Sequence, residues 1–181
     1  VDVWTFSASA DQQVQFDLIN ASASGVAFSL RGPNGPFGFT NLLNDSELVN
    51  LPSDGSYTLT ARGTGGAYDI AYAFRLVETV QTDLPLGTNF IGQFAGSGHA
   101  QVFRITLTNS GPLRITLNNG GSGNRAELYV ARGAPPTRGA FEFESSSGLG
   151  GNRELLIPSA PVGTLYVLVY GDYIPTPGQF S

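Results

Sequence analysis

The sequence predicts an all-β protein built from two tandem, jelly-roll-like β-sandwich repeats with mainly antiparallel strands. Three observations indicate this fold: apolar and polar residues alternate, turn-forming residues are abundant, and one pattern of strands and turns occurs twice. The 181 residues include 24 glycines and 11 prolines, while charged residues make up only 13%. Hydrophobic residues make up 41%, which is enough for packed cores.

The alternation is clearest in two matching stretches, "ELVNLPSDGSYTLTARG" (47–63) and "ELLIPSAPVGTLYVLVYG" (154–171). In each stretch a proline ends one strand, because proline cannot donate a hydrogen bond to a neighbouring strand. A glycine, Gly55 or Gly163, then precedes the next strand. Every second residue of that strand is apolar, as expected when one face lies on a core: Tyr57, Leu59 and Ala61 in the first stretch, and Leu165, Val167 and Val169 in the second.

The match continues towards the start of each copy. "VQFDLIN" (14–20) pairs with "LRITLNN" (113–119), "FSLRGPNG" (28–35) with "LYVARGAPP" (128–136), and "WTFSA" with "FRITL", so that Trp4 takes the place of Phe103. The sequence therefore predicts a first repeat over 1–80 and a second over 81–181. A short polar linker is expected over 78–86. No segment predicts a helix, and 41–51 is interpreted as a loop that leads into a strand at 47–51.

The two copies differ at their ends. A leading strand around 89–94 precedes the second copy and has no counterpart in the first. The first copy closes with a long strand over 67–77, whereas the second stops where that strand would begin. Two explanations are open: the chain is a window from a longer tandem array, or a neighbouring chain supplies the missing strands by β-strand addition. A fibre made of repeats would satisfy both.

The second copy, "LPLGT…FRITL…LRITLNN…AELYVARGAPPT…RELLIPSAPVGTLYVLVYG", resembles the bacterial pre-peptidase C-terminal domain, and the first copy is a more divergent form. The resemblance implies a jelly-roll-like sandwich similar to carbohydrate- and collagen-binding modules. Such domains are non-catalytic appendages of secreted proteases and other hydrolases, and occur in tandem in bacterial surface proteins. Some members bind calcium through an acidic cluster near the domain start. Here Asp83 stands alone, so the resemblance assigns no calcium ligands.

Composition excludes several function classes. All nine basic residues are arginines, the net charge is −5 and no basic cluster exists, which disfavours nucleic-acid binding. Cysteine is absent, so disulfides and thiol chemistry are excluded. No apolar run is long enough to span a membrane. The single histidine, His99, follows Ser97 by two residues but lies outside a nucleophile motif, and it is predicted to be a solvent-facing turn residue.

The acidic residues do not predict a catalytic site either. Glu142 and Glu144 are predicted to share the solvated face of a strand, with Phe141 and Phe143 on the other face. Loop oxygens in "LNDSE" (43–47) and "YGDY" (170–173) leave calcium binding open, although neither segment forms a dense oxygen cage. No catalytic residue, cofactor ligand or metal ligand is assigned, and the chain is not expected to be an enzyme.

One strand of the second copy carries aromatic and aliphatic side chains at its outward positions. The matching strand of the first copy carries mainly hydroxyl side chains there. The predicted partner-binding residues are Tyr166, Leu168, Tyr170 and Tyr173. Exposed apolar stripes of this kind usually mark an interaction site, and tyrosine suits protein and sugar partners alike. The alternative is that this strand is central and covered on both faces.

These observations favour a non-catalytic extracellular or cell-surface module. It would act as a structural or adhesive repeat of a bacterial surface protein or filament, joined to its neighbours by strand complementation. The expected partners are adjacent repeats or further copies of the chain. The alternative function is a polysaccharide- or protein-binding appendage of a secreted hydrolase. The absence of cysteine and methionine also suits an oxidising environment.

Overall fold

The computed structural model describes residues 1–65, 69–121, 123–147 and 150–181. All regular secondary structure in these residues is β-strand. The chain divides into two compact units, Val1–Thr79 (unit 1) and Val80–Ser181 (unit 2). The predicted all-β sandwich fold is confirmed.

Unit 1 is a sandwich of two antiparallel sheets. Its strands, in the residues described, are β1 (Asp2–Ala8), β2 (Gln13–Ala21), β3 (Val26–Gly32), β4 (Gly35–Pro36), β5 (Val49–Asn50), β6 (Gly55–Gly63) and β7 (Tyr72–Glu78). One sheet has the order β1-β6-β3-β4 and the other has the order β5-β2-β7. Alternate residues of both sheets face a shared core, where the ring of Phe16 on β2 lies 4.6 Å from that of Phe28 on β3.

Unit 2 is a larger sandwich. Its strands, within the described part of the chain, are β8 (Val80–Asp83), β9 (Gly92–Phe94), β10 (Ala100–Leu107), β11 (Gly111–Leu117), β12 (Arg125–Arg132), β13 (Phe143–Ser145), β14 (Arg153–Ala160), β15 (Gly163–Tyr173) and β16 (Gly178–Phe180). The main sheet has the order β13-β12-β15-β10-β8. The opposite layer consists of β14-β11 and β16-β9, linked by a bridge between Asn119 and Phe180. Buried side chains from both layers form one core.

The two units share strand order and register. The order β1-β6-β3-β4 of unit 1 recurs as β10-β15-β12-β13 in unit 2. Matching residues also face matching partners: Trp4 faces Leu59 and Phe103 faces Val167, while Phe28 faces Ala61 and Leu128 faces Val169. Any position in one unit can therefore be compared with its counterpart in the other.

Unit 2 has two edge strands without a counterpart among the described residues of unit 1. β8 pairs in parallel with β10, so residues 80–83 form a strand and the prediction of a linker there was wrong. The carboxylate of Asp83 accepts two hydrogen bonds from Arg104, at 2.6 and 3.0 Å. This ion pair helps to hold β8 against β10, although the polar composition of β8 predicted a loop. β9 pairs with β16 and is shorter than the strand predicted over 89–94.

Two strands of unit 1 also differ from prediction. The strand expected over 67–77 runs from Tyr72 to Glu78, and residue 67 lies outside the described residues. The strand expected over 47–51 is limited to Val49–Asn50. Residues 47 and 48 are irregular instead. Just before them, the hydroxyl of Ser46 accepts a hydrogen bond from the N–H of Phe16 at 2.9 Å.

The glycines that precede β6 and β15 generate the first prediction. Gly55 and Gly163 have φ of 139° and 122°, which L-residues with a Cβ avoid. Gly163→Ala should lower the free energy of unfolding by about 1–2 kcal/mol, measured by urea denaturation. The control is Gly139→Ala, at a glycine with open surroundings and no positive φ, where the change should stay within about 0.5 kcal/mol. Equal losses in the two variants would contradict the assigned turn geometry.

Candidate functional site

The predicted partner-binding residues lie on β15, and three of the four are buried. Tyr166, Leu168 and Tyr170 are 9%, 0% and 7% exposed, whereas Tyr173 is 49% exposed. The predicted exposure of the first three was wrong because β15 is the central strand of its sheet, between β12 and β10. The alternative of a central strand covered on both faces describes them correctly. A partner-binding role for Tyr173 stays a prediction.

The segment 133–142, between β12 and β13, covers part of the outer face of this sheet. Pro135 and Pro136 are buried. The ring of Phe141 lies 5.0 Å from that of Tyr129 on β12. The guanidinium carbon of Arg138 lies 4.7 Å from the ring centre of Tyr170. Aromatic and cation–π contacts of this kind hold the segment against the sheet.

A group of charged residues fastens the same segment. This Glu127 cluster comprises Glu127 and Tyr129 on β12, Arg138 in the covering segment, and Arg125 and Asp172 at the ends of β12 and β15. Arg138 donates two hydrogen bonds to the Glu127 carboxylate, at 2.7 and 3.0 Å, and a third to Asp172 at 3.0 Å. The hydroxyl of Tyr129 donates to Glu127 at 2.8 Å, and Arg125 pairs with Asp172 at 3.1 Å.

The charges of the cluster stabilise the contact between the covering segment and the sheet. The hydrogen bond and charge of Glu127 raise the pKa of Arg138 above its usual range. Burial raises the pKa of Tyr129 to about 12, and its hydrogen bond to Glu127 acts in the same direction. Both carboxylates are paired with arginine, as in a structural ion-pair network. The sequence analysis did not identify the cluster, although Glu127 is the one acidic residue of β12.

His99 is half-buried, so the prediction that it faces solvent was wrong. Its ring packs edge-on against Phe94, with 6.1 Å between the ring centres, and burial lowers its pKa. Its backbone carbonyl accepts a hydrogen bond from the N–H of Gly171 at 2.9 Å. The Ser97 hydroxyl accepts one from the N–H of Ile174 at 2.8 Å. Both residues thus tie the turn before β10 to the end of β15.

The carboxylates considered for chemistry are also engaged in local contacts. Asp45 accepts a hydrogen bond from the N–H of Leu18 at 2.8 Å, and Glu142 pairs with Arg132 at 2.7 Å. Phe143 packs on the core of unit 2, whereas Phe141 packs on the outer face. The prediction that these two rings share a face was therefore wrong, because β13 begins only at Phe143.

The described residues contain no group of three or more His, Cys, Asp or Glu side chains that could hold a metal ion. In the same part of the chain, no helix is long and apolar enough to cross a membrane.

A groove beside β11 is the second candidate site. Its cavity volume is about 160 Å³, and its walls come from β11, the segment 84–90, the main sheet of unit 2 and residues 180–181. Over the described residues, β11 pairs with β14 along one edge, and its other edge reaches a neighbour only past Leu117, where Asn119 meets Phe180. The groove therefore combines an apolar wall with a strand edge that is unpaired over residues 113–117.

Several solved structures are similar to this chain, and two of them are described next. The pre-peptidase C-terminal domain of a collagenase from Bacillus anthracis is 18% identical with a TM-score of 0.46, and the match covers 56% of this chain and 91% of that domain. The CUB1-EGF-CUB2 region of human MASP-1/3 is 8% identical with a TM-score of 0.30, and the match covers 99% of this chain and 91% of the other. No protein-family model and no curated protein matches the sequence. The fold assignment rests on the sheets of the chain itself.

The Glu127 cluster generates the second prediction. Arg138→Met should lower the free energy of unfolding by about 2–4 kcal/mol, because it leaves the buried Glu127 carboxylate without its cation. The control is Arg104→Met, which removes the exposed pair with Asp83 and should cost less than about 1 kcal/mol. Urea denaturation measures both changes. A loss in Arg138→Met no larger than in Arg104→Met would show that the cluster does not fasten the covering segment.

Proposed function

We propose that the chain is a non-catalytic extracellular module that serves as a structural or adhesive repeat of a bacterial surface protein or filament. The observation that carries the proposal is the shared strand order and register of the two units. Repeated units of this kind suit extended assemblies, because each unit can be completed by a neighbour.

The charged groups support a structural role. In the Glu127 cluster, arginines and carboxylates bind each other and hold a loop on a sheet. Other ion pairs, such as Arg75 with Asp17, join neighbouring strands across a sheet face. Groups used in this way stabilise folded units, and none of these contacts leaves a nucleophile beside a base.

A specific observation favours the second candidate function, a polysaccharide- or protein-binding appendage of a secreted hydrolase. The half-exposed ring of Tyr173 lies 5.3 Å from the guanidinium carbon of Arg125, at the end of β15. An exposed tyrosine next to an arginine suits both sugar stacking and protein contacts. The sequence resemblance to hydrolase appendages points in the same direction.

Immunogold electron microscopy of intact source cells tests the proposed function. Antibodies raised against residues 1–181 should label the outer surface of unpermeabilised cells, along filaments or a continuous layer. Label that appears only after permeabilisation would contradict an extracellular role. Label confined to the culture medium, in a fraction that co-purifies with hydrolase activity, would favour the appendage instead.

A further inference from the structure

We propose that the Asn34–Gly35 step is a site of spontaneous covalent modification, at which Asn34 loses ammonia and becomes aspartate or isoaspartate. The site lies in the turn between β3 and β4 of unit 1. The second step of the same type in the chain, Asn119–Gly120 in unit 2, stays unmodified while the chain is folded. This modification does not depend on a structural or a binding role of the chain.

The reaction needs only groups of the chain and water. The backbone nitrogen of Gly35 bonds to the side-chain carbonyl carbon of Asn34, and the bond from that carbon to the amide nitrogen Nδ2 breaks. Nδ2 leaves as ammonia and takes the proton that the backbone nitrogen loses. The five-membered succinimide then takes up one water molecule. Cleavage between the ring nitrogen and the side-chain carbon gives aspartate, whereas cleavage between the ring nitrogen and the backbone carbonyl carbon gives isoaspartate.

The glycine that follows the asparagine favours ring closure. The ring closes within one short segment of chain, so the reacting atoms do not have to meet by diffusion. A side chain on the following residue would crowd its own nitrogen, and glycine has no Cβ. Asparagine precedes glycine at two places in the sequence, Asn34–Gly35 and Asn119–Gly120. The sequence gives both steps the same reactivity, and the fold separates them.

The side chain of Asn34 is exposed and weakly held. The turn consists of Pro33 and Asn34, between the paired residues Gly32 and Gly35. The amide nitrogen of Asn34 donates a hydrogen bond to the hydroxyl of Ser53 at 3.4 Å, which is longer than the usual range for N–H···O. Water therefore reaches the group that must leave, and that hydrogen bond holds it only weakly.

The side chain of Asn119 has the opposite environment, because it is only 8% exposed. Its carbonyl oxygen accepts hydrogen bonds from the N–H of Gly121 and from the amide of Asn124, both at 3.3 Å. Its backbone N–H donates to the side chain of Asn152 at 2.8 Å. These contacts fix both the backbone and the side chain of Asn119.

The environment of the attacking nitrogen does not distinguish the two steps. Gly35 is paired with Gly32, and the N–H of Gly120 donates to the carbonyl of Gln179 at 3.2 Å. The difference lies in the asparagine side chain, which is solvated in one step and packed in the other. A packed side chain reaches the ring geometry only when the structure opens locally, so the fold should slow the reaction at Asn119.

The isoaspartate product changes the turn more than the aspartate product does. Isoaspartate carries the main chain through the side-chain carbonyl carbon, so the turn gains one backbone atom between Gly32 and Gly35. Loop length sets the pairing of the two strands of a hairpin. The turn also lies against the residues before β6, since a Cβ on Gly55 would be 3.1 Å from the side chain of Pro33. The added atom should therefore disturb the pairing of β3 with β4 and this contact.

The matching turn of unit 2 cannot react in this way. Where unit 1 has "RGPNG" (31–35), unit 2 has "RGAPP" (132–136). The second segment contains no asparagine, and the nitrogen of a proline has no proton to lose. The modification at this place in the fold is therefore specific to unit 1.

Peptide mapping of the full chain tests the site. Folded chain and chain in urea are incubated at mildly alkaline pH and digested with trypsin, which cleaves after arginine. The fragments 32–62 and 115–125 contain the two steps. Each deamidation adds about 1 Da, and fragmentation by electron transfer locates it and distinguishes aspartate from isoaspartate. In the folded chain, Asn34 should react at least about tenfold faster than Asn119, whereas in urea the two rates should converge.

Two variants separate the effects of the product from those of storage. Asn34→Gln keeps a carboxamide but closes a larger ring less readily, so the stored variant should keep its melting temperature. Asn34→Asp introduces the charge without the added backbone atom, so it should melt close to the fresh wild-type chain. Stored wild-type chain that has become rich in isoaspartate should melt at a lower temperature than both variants.

Three results would overturn the proposal. The first is the absence of a mass gain at Asn34 in the folded chain, which would show that the hairpin protects this step. The second is equal rates at Asn34 and Asn119 in the folded chain, which would show that burial of the side chain does not control the reaction. The third is an equal fall in melting temperature when Asn34→Gln is stored, which would assign the change to another site.

Discussion

A β-sandwich is stable when its inner faces are covered and its central strands are hydrogen-bonded along both edges. β2 in unit 1 and β11 in unit 2 differ in how far they meet this constraint. In unit 1, β2 lies between β5 and β7, and Phe16 is sealed beneath aromatic rings. In unit 2, β11 has β14 along one edge and a groove along the other. An unpaired edge beside an apolar surface is a template for another strand.

Other contacts stabilise unit 2 although the groove beside β11 is open. β8 and β9 extend its two layers, and Phe94 of β9 packs 4.5 Å from Phe180 of β16. The Glu127 cluster fastens the covering segment to the outer face of the main sheet. Unit 2 can therefore keep a packed core while one side of β11 stays available. In unit 1, by contrast, the aromatic contacts of Phe74 close the equivalent region.

Much of the fold could be predicted because it depends on local patterns. Alternation along β6 and β15 and the glycines before them identified two sandwiches, and the positive φ of Gly55 and Gly163 supplies the physical reason for those glycines. β8 was missed because it is polar and pairs in parallel with a strand that follows about twenty residues later. The stripe on β15 was misjudged because alternation does not distinguish a central strand covered on both faces from one with a solvated face. Tyr170 is covered by Arg138, in a loop whose position no local pattern specifies.

Amide hydrogen exchange of the full chain tests the central claim most directly, by comparing residues 113–117 of β11 with residues 14–18 of β2. Hydrogen-bonded amides exchange only when the structure opens locally or globally. If one edge of β11 is unpaired, the amides that point into the groove should exchange at least tenfold faster than their counterparts in β2. Equal protection of both segments in the isolated chain would contradict an open strand site in unit 2.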